Sequence, residues 1–216
     1  MSDETTEEQP MHPPTEEEAL IAALREKEWL PSHGQVLLVS IRGKSPLGTN
    51  RFDDRAGTVY RNRSGNLEVN LYDATNDPGH YWLDNPSKPE GCAVACAGYY
   101  TGAMQLGKHG GKKPALVNWG LTAISYDRYL TDGNGGWKVN LENQTDYIGL
   151  NIHRAGKAST QVDKWSAGCT VFANEHDMEA VLDTCQLGLG MVVGSRAAAS
   201  IFFSYAILDY SEVHAS

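Results

Sequence analysis

A mainly β domain with one or two helices (an α+β chain) is the fold class this sequence predicts. Three observations predict it. Short apolar runs recur from Gln35 onward, glycine, asparagine, aspartate and proline punctuate them, and helical periodicity is confined to two segments. The runs are "QVLLVSI", "GTVYRN", "NLEVNLY", "CAVACAG", "LTAISYDRYL", "YIGLNIH" and the late "IFFSYAILDY". Between them "RNRSGNLE" reads as a hairpin turn and "TDGNGG" as a second loop. Strands of this length, with short connections, build a sandwich or a small closed sheet.

The elements follow in order. Residues 1–14 are polar and acidic, end in Pro13-Pro14, and are expected to be a disordered tail. Thr15, with Glu18 three residues later, forms a capping-box signature for a helix. Ala19, Leu20, Ala22, Ala23 and Leu24 give that helix an apolar face, and Pro31 is expected to end it; residues 15–34 are then helix and linker. Residues 35–216 form the main domain. Within it Asn174 is placed to cap a second helix over "EHDMEAVLDTCQLG", with Gly188 or Gly190 near its end.

Charge narrows the function classes. The chain of 216 residues has a net charge of −9, and residues 1–30 hold nine acids and two bases. The acidity therefore belongs mainly to the N-terminal segment. No basic block stands out, which argues against nucleic acid as a partner. No apolar run approaches the roughly 18–20 residues that span a bilayer, so no membrane insertion is expected. The N-terminus is the reverse of a signal peptide, and synthesis in the cytoplasm is the expectation. Four cysteines, Cys92, Cys96, Cys169 and Cys185, are too few for a disulfide scaffold and read as reduced thiols.

One stretch carries chemistry: "NIHRAGKASTQVDKWSAGCTVF", residues 151–172. His153 ends an apolar run, and Cys169 follows Ser-Ala-Gly and precedes another. Three readings are open: a nucleophile with its base, two ligands of a metal, or two unrelated residues. Glycine before cysteine permits a tight turn that aims backbone N–H groups at the reacting centre. A free thiol with a pKa near 8.5 is about a tenth or less thiolate at neutral pH, so a nearby histidine base would matter. His80 and His109 lie in loops and offer themselves either to a zinc site with His153 and Cys169 or as lining of a pocket. No HxH or HExxH spacing supports the metal, and no cofactor is called for. "HGGKKP" and "TDGNGGW" lack the strand-to-helix context of a phosphate loop.

"IH…SAGC" resembles the signature of the L,D-transpeptidase (YkuD-type) family. "TNDPGHYWL", residues 75–83, is similar to that family's upstream Thr-x-x-Pro-x-Gly-x-aromatic pattern. Closer still is a phage- and prophage-associated branch, through "DPGHYWLDNP", "GYYTGAMQLGKHGGKKPALV" and "GLNIHRAG…VDKWSAGCTVFAN". The resemblance spans about residues 67–185. It implies a mixed β-sandwich and a cysteine nucleophile acting on peptidoglycan stem peptides through a thioester acyl-enzyme. Carried over, Cys169 is the nucleophile and His153 the base. Ser166 and Gly168 shape the turn, a carbonyl near Ser166 orients the imidazole, and the Gly168 and Cys169 amides serve as oxyanion donors. Ala167 stands where the family has histidine, and Val171 where it often has arginine. Arg154 or Lys164 is then the expected carboxylate ligand, with Trp165 beside the turn. Hydrolysis is favoured over transpeptidation. Delivery to the wall would come by phage lysis, by an injecting machine or with a virion. A silent wall-binding or virion protein and a zinc peptidase are the alternatives from other classes.

Overall fold

The computed structural model describes residues 13–45, 47–192 and 202–214. The expected acidic tail lies outside it up to residue 12, as does the first residue of the last apolar run. What is described is mainly β with four helices among the described residues. Eight strands close into a barrel and three more form a separate sheet.

The chain enters through α1, Glu16–Glu26. Its capping box is complete: Glu18 N–H donates to Thr15 Oγ1 at 3.2 Å and Thr15 N–H to Glu18 Oε2 at 2.9 Å. Pro31 does not end this helix. It stops at the Lys27 cap, where Glu28 turns to φ 59° and Trp29 N–H returns to the Leu24 carbonyl. Leu20, Ala23 and Leu24 are buried, whereas Ala22 faces out.

Around the barrel the order is β1 (Val36–Ile41), β11 (Phe203–Leu208), β5 (Gly98–His109), β6 (Lys113–Val117), β9 (Asn151–Arg154), β10 (Thr170–Phe172), β3 (Leu67–Thr75) and β2 (Asp54–Arg61). The pairing is mixed: β1 runs parallel to β11 and β10 parallel to β9, and the other pairs are antiparallel. β1 is buried along its whole length because both its faces are covered. Val36 and Leu38 join the larger core with Tyr205, Ile207 and Phe172. Leu37, Val39 and Ile41 turn to the other side, against Leu20 and Leu24 of α1 and Val213 of α4, Tyr210–Val213. The long helix α3, Glu175–Val192, starts where expected, with His176 N–H bonded to Asn174 Oδ1. It runs on past Gly188 and Gly190. Met178, Val181, Leu182 and Cys185 supply its share of the larger core.

β4 (Cys92–Ala95), β7 (Ile124–Thr131) and β8 (Trp137–Asp146) make the second sheet, in the order β4-β7-β8. Four strands were not anticipated. β5 carries Gly102 and Gly107, β6 carries Pro114, β8 is exposed and polar, and β10 is three residues long. Each lacks the apolar alternation by which strands are recognised.

α1 covers one apolar face of the barrel, so its leucines are core residues. Leu24→Ala should lower unfolding free energy by about 2–5 kcal/mol in denaturant titration. A loss within about 0.5 kcal/mol would mean that α1 does not dock as described.

Candidate functional site

β9 and β10 lie side by side in parallel, with Ile152 opposite Thr170 and His153 opposite Val171. Cys169 immediately precedes β10. Continuing the register by one residue sets it opposite Asn151, and side-chain alternation puts Asn151, His153 and Cys169 on the same face. Ile152 and Thr170 point the other way, into the core and its polar centre. Fifteen residues of intervening chain therefore separate two groups that sheet pairing brings back together.

The turn before β10 is built by Ser166, which is fully buried. Its Oγ donates to the Cys169 carbonyl at 2.8 Å and accepts the Gly168 N–H at 3.1 Å. Gly168 has φ 122°, and a Cβ there would lie 1.9 Å from the Ala93 carbonyl oxygen of β4. Only glycine fits this contact. The "TNDPGHYWL" segment supports the turn from behind, through α2, His80–Asp84. Gly79 N–H donates to the Ser166 carbonyl at 3.0 Å. Two expectations are thereby corrected. The Gly168 amide is committed to Ser166 and is not free for an oxyanion, and no carbonyl near Ser166 orients the imidazole.

A different carbonyl does that. His153 is buried, and its Nδ1–H donates to the Arg154 carbonyl at 3.0 Å. That bond fixes the tautomer with the lone pair on Nε2. Burial lowers the His153 pKa to about 4, the Arg154 carbonyl opposing, and His109 and Lys113 add to the fall. The imidazole is therefore a neutral base across the physiological range. His109, at the end of β5, stacks on it with ring centroids 3.9 Å apart. Asn151 Nδ2 donates to His109 Nδ1 at 3.0 Å, while Asn151 Oδ1 is buried without a partner among the described residues.

Cys169 is enclosed except where it opens onto a cleft of about 280 Å³. The cleft runs between the Ala167–Cys169 turn, the Asp146–Leu150 segment and the second sheet, with Cys92, Tyr126 and Arg128 in its wall. Burial raises the Cys169 pKa, partly offset by the Asn151 N–H, so the thiol is protonated at rest. Its contact is a long one, 3.8 Å to the Gly149 carbonyl. No hydrogen bond joins Cys169 to His153. The other three thiols are also free; burial pushes Cys92 up to about 11 and Cys185 up to about 12.

The remaining expected site residues fall in different places. Arg154 pairs with Glu175 of α3 at 3.0 Å, and the Lys164 ammonium lies 4.3 Å from the Tyr81 ring centroid. Trp165 is 38% exposed beneath the Lys113 ammonium, which stands 4.9 Å from its ring centroid. His80 packs on Trp137 and its Nε2 meets the Gly48 carbonyl at 2.7 Å, a structural environment apart from the His109–His153 stack. No group of three or more histidines, cysteines or carboxylates among the described residues is arranged to hold a metal. Three residues were missed. Asn151 shares a strand face with His153, a two-residue spacing that the sequence displays. Lys113 had no such signal. Arg128 falls in the buried phase of β7 with Ile124 and Tyr126, where alternation calls for an apolar residue.

Comparison with family models, with curated proteins and with solved structures gives no match for this chain. No described helix is long and apolar enough to cross a membrane.

Two predictions follow from the burial. Ala at Gly168 should cost at least about 2 kcal/mol, because strain at positive φ adds to the Ala93 clash; a Tm within a degree of the native protein would contradict this packing. The second concerns pH. His153 resists protonation in the folded state, so its contribution is full above about 6.5 and is lost as pH falls towards 4, by up to about 3 kcal/mol. Asp77 acts in the opposite sense. Burial, then the neighbouring Asp54, raise its pKa to about 7 against the pull of Arg42, so its contribution is full below its unfolded pKa and is lost as pH rises through 7. Denaturant titrations at pH 4.5 and 7 should show His153→Gln relatively more acid-stable and Asp77→Asn relatively less so. Equal shifts at both pH values would refute the assignment.

Proposed function

We propose that this chain is a cysteine-dependent acyl-transfer enzyme of the L,D-transpeptidase type that cleaves or exchanges peptide bonds in peptidoglycan stem peptides. The observation that carries the reading is His153. Its Nδ1–H is tied to the Arg154 carbonyl and its Nε2 is left as a neutral base on the strand beside the Cys169 turn. Cys169 opens at the same time onto a cleft large enough for part of a peptide.

In this reaction Cys169 Sγ attacks the substrate carbonyl carbon as its proton passes to His153 Nε2. The C–N bond breaks, the leaving amine takes that proton, and a thioester remains on Cys169. Water or an amine then attacks the thioester, its proton passes to His153, and the thiol returns. The Cys169 amide is the oxyanion donor left at this turn once Gly168 is discounted. Ala167, in place of a second histidine, supports water as the acceptor. The fold is mainly β, with a closed eight-stranded barrel and a separate three-stranded sheet, and the mixed sandwich of the family belongs to the same proposal. So do delivery to the wall by lysis, injection or a virion, and peptidoglycan itself as partner.

One observation favours a second reading, a wall-binding or virion protein without turnover: the thiol is protonated at rest and makes no hydrogen bond to the imidazole. Catalytic contacts of this kind often close only when substrate is bound.

Alkylation with iodoacetamide, read site by site by mass spectrometry, tests the pair. Cys169 should react faster than Cys92, Cys96 and Cys185, and His153→Ala should slow it by about 100-fold. The rate should climb towards alkaline pH with no step near 6.5, because His153 has already lost its proton there. A chelator should leave the rate unchanged. Equal rates at all four cysteines would overturn the reading.

A further inference from the structure

The cleft that receives Cys169 contains an unpaired buried cation. Arg128 is only 7% exposed, and no carboxylate among the described residues pairs with it. One guanidinium N–H donates to the Gly91 carbonyl at 2.7 Å, and the guanidinium carbon lies 5.1 Å from the Tyr126 ring centroid. Those contacts orient the side chain without neutralising it. A buried charge left unpaired is costly, and a guanidinium still has donors to spare beyond the Gly91 bond.

Its placement is specific. Arg128 of β7 pairs with Ala93 of β4, and the Ala93 carbonyl is the atom that touches Gly168, the residue before Cys169. One strand spacing, about 4.8 Å, thus separates the backbone of Arg128 from the strand that meets the catalytic turn. The β7–β8 register shifts on either side of Arg128, an irregularity of the kind that re-aims a side chain beside a site. Asp146, the one acid among the residues lining the cleft, is solvent-exposed and accepts its own neighbour's N–H, from Tyr147, at 2.7 Å. Lys88 also lines the cleft and adds positive charge.

We propose that Arg128 is the carboxylate anchor of this cleft, so that Cys169 is presented to ligands bearing a free carboxylate near the reacting carbonyl. The assignment deepens the acyl-transfer reading and rests on it for the substrate class: a peptide with an unamidated acidic group or a free C-terminus. Arg128 can offer two parallel N–H donors to both carboxylate oxygens, a geometry lysine cannot reproduce. Arg154, already paired with Glu175, is less able to take this role.

The test needs no knowledge of the true substrate. Rates of Cys169 alkylation by iodoacetate, an anion, and iodoacetamide, its neutral analogue, are measured on the full chain at pH 7.5. His153 is neutral at that pH and does not bias the comparison. The iodoacetate-to-iodoacetamide ratio at Cys169 should fall at least about tenfold in Arg128→Gln, the loss of a charge-assisted hydrogen bond. Arg128→Lys should recover only part of it, and Lys88→Gln should change it little. A role confined to holding the Gly91 turn would alter stability and leave the ratio unchanged. In the native protein, acetyl-D-alanyl-D-alanine should protect Cys169 from iodoacetamide, and its C-terminal amide should not; this arm holds even if the Arg128 variants misfold. An unchanged ratio in folded variants, or equal protection by acid and amide, overturns the proposal. Anion selectivity without any action on sacculi would keep the anchor and remove the peptidoglycan reading. Action on sacculi with an unchanged ratio would do the reverse.

Discussion

The structure turns on one buried amide. Asn76, at the end of β3, donates through Nδ2 to Ser40 of β1 and Asp54 of β2, and its Oδ1 accepts from Thr170 of β10 and Tyr205 of β11. Four strands of the barrel are thereby tied to one side chain, which directly follows a fifth, β3. Asp54 also accepts the Asn76 and Gly43 N–H groups, so the cluster is saturated with hydrogen bonds although it is buried. Buried polar networks of this kind fix one arrangement where apolar packing would tolerate several. Thr170 is the residue after Cys169, and three residues beyond Asn76 the Gly79 amide holds the Ser166 carbonyl. The position of the thiol is therefore set by the centre of the barrel and not by the loop that carries it.

The electrostatics of the site follow from that depth. The thiol is protonated and the imidazole neutral, both because burial disfavours charge. Such a pair differs from a preformed thiolate–imidazolium. It holds no stored charge at rest, so in the proposed mechanism proton transfer begins only when a substrate carbonyl reaches Sγ. After burial, the stacked His109 and the nearby Lys113 further disfavour a proton on His153. The cleft wall, by contrast, carries the Arg128 guanidinium, which pairs with no carboxylate among the described residues.

Much of this was legible in the chain. Periodicity gave the β class, and capping residues gave the starts of α1 and α3, because these signals are local. His153 and Cys169 stood out as chemistry-bearing types flanked by apolar runs. The strands missed were those without an apolar period of their own: β5 with its glycines, β6 with its proline, β8 with its exposed polar surface, and β10, too short to show a period. The carbonyl partner of His153 was misplaced because hydrogen bonds to backbone leave no trace in residue identity. Arg154 and Lys164 drew attention by proximity in sequence to the motif, whereas Arg128 lies some forty residues upstream and reaches the cleft only through the β4–β7 ladder. Its signal was an arginine on the buried face of an alternating strand.

The proposal to be tested is that Cys169, served by His153, performs chemistry on the bacterial cell wall. Mass analysis of muropeptides, after purified sacculi are incubated with the native protein or with Cys169→Ala, tests it most directly. Shortened stem peptides, or stems with exchanged residues, are expected from the native protein alone, and their masses separate hydrolysis from exchange. Identical profiles from both proteins, across several wall chemotypes, would contradict it.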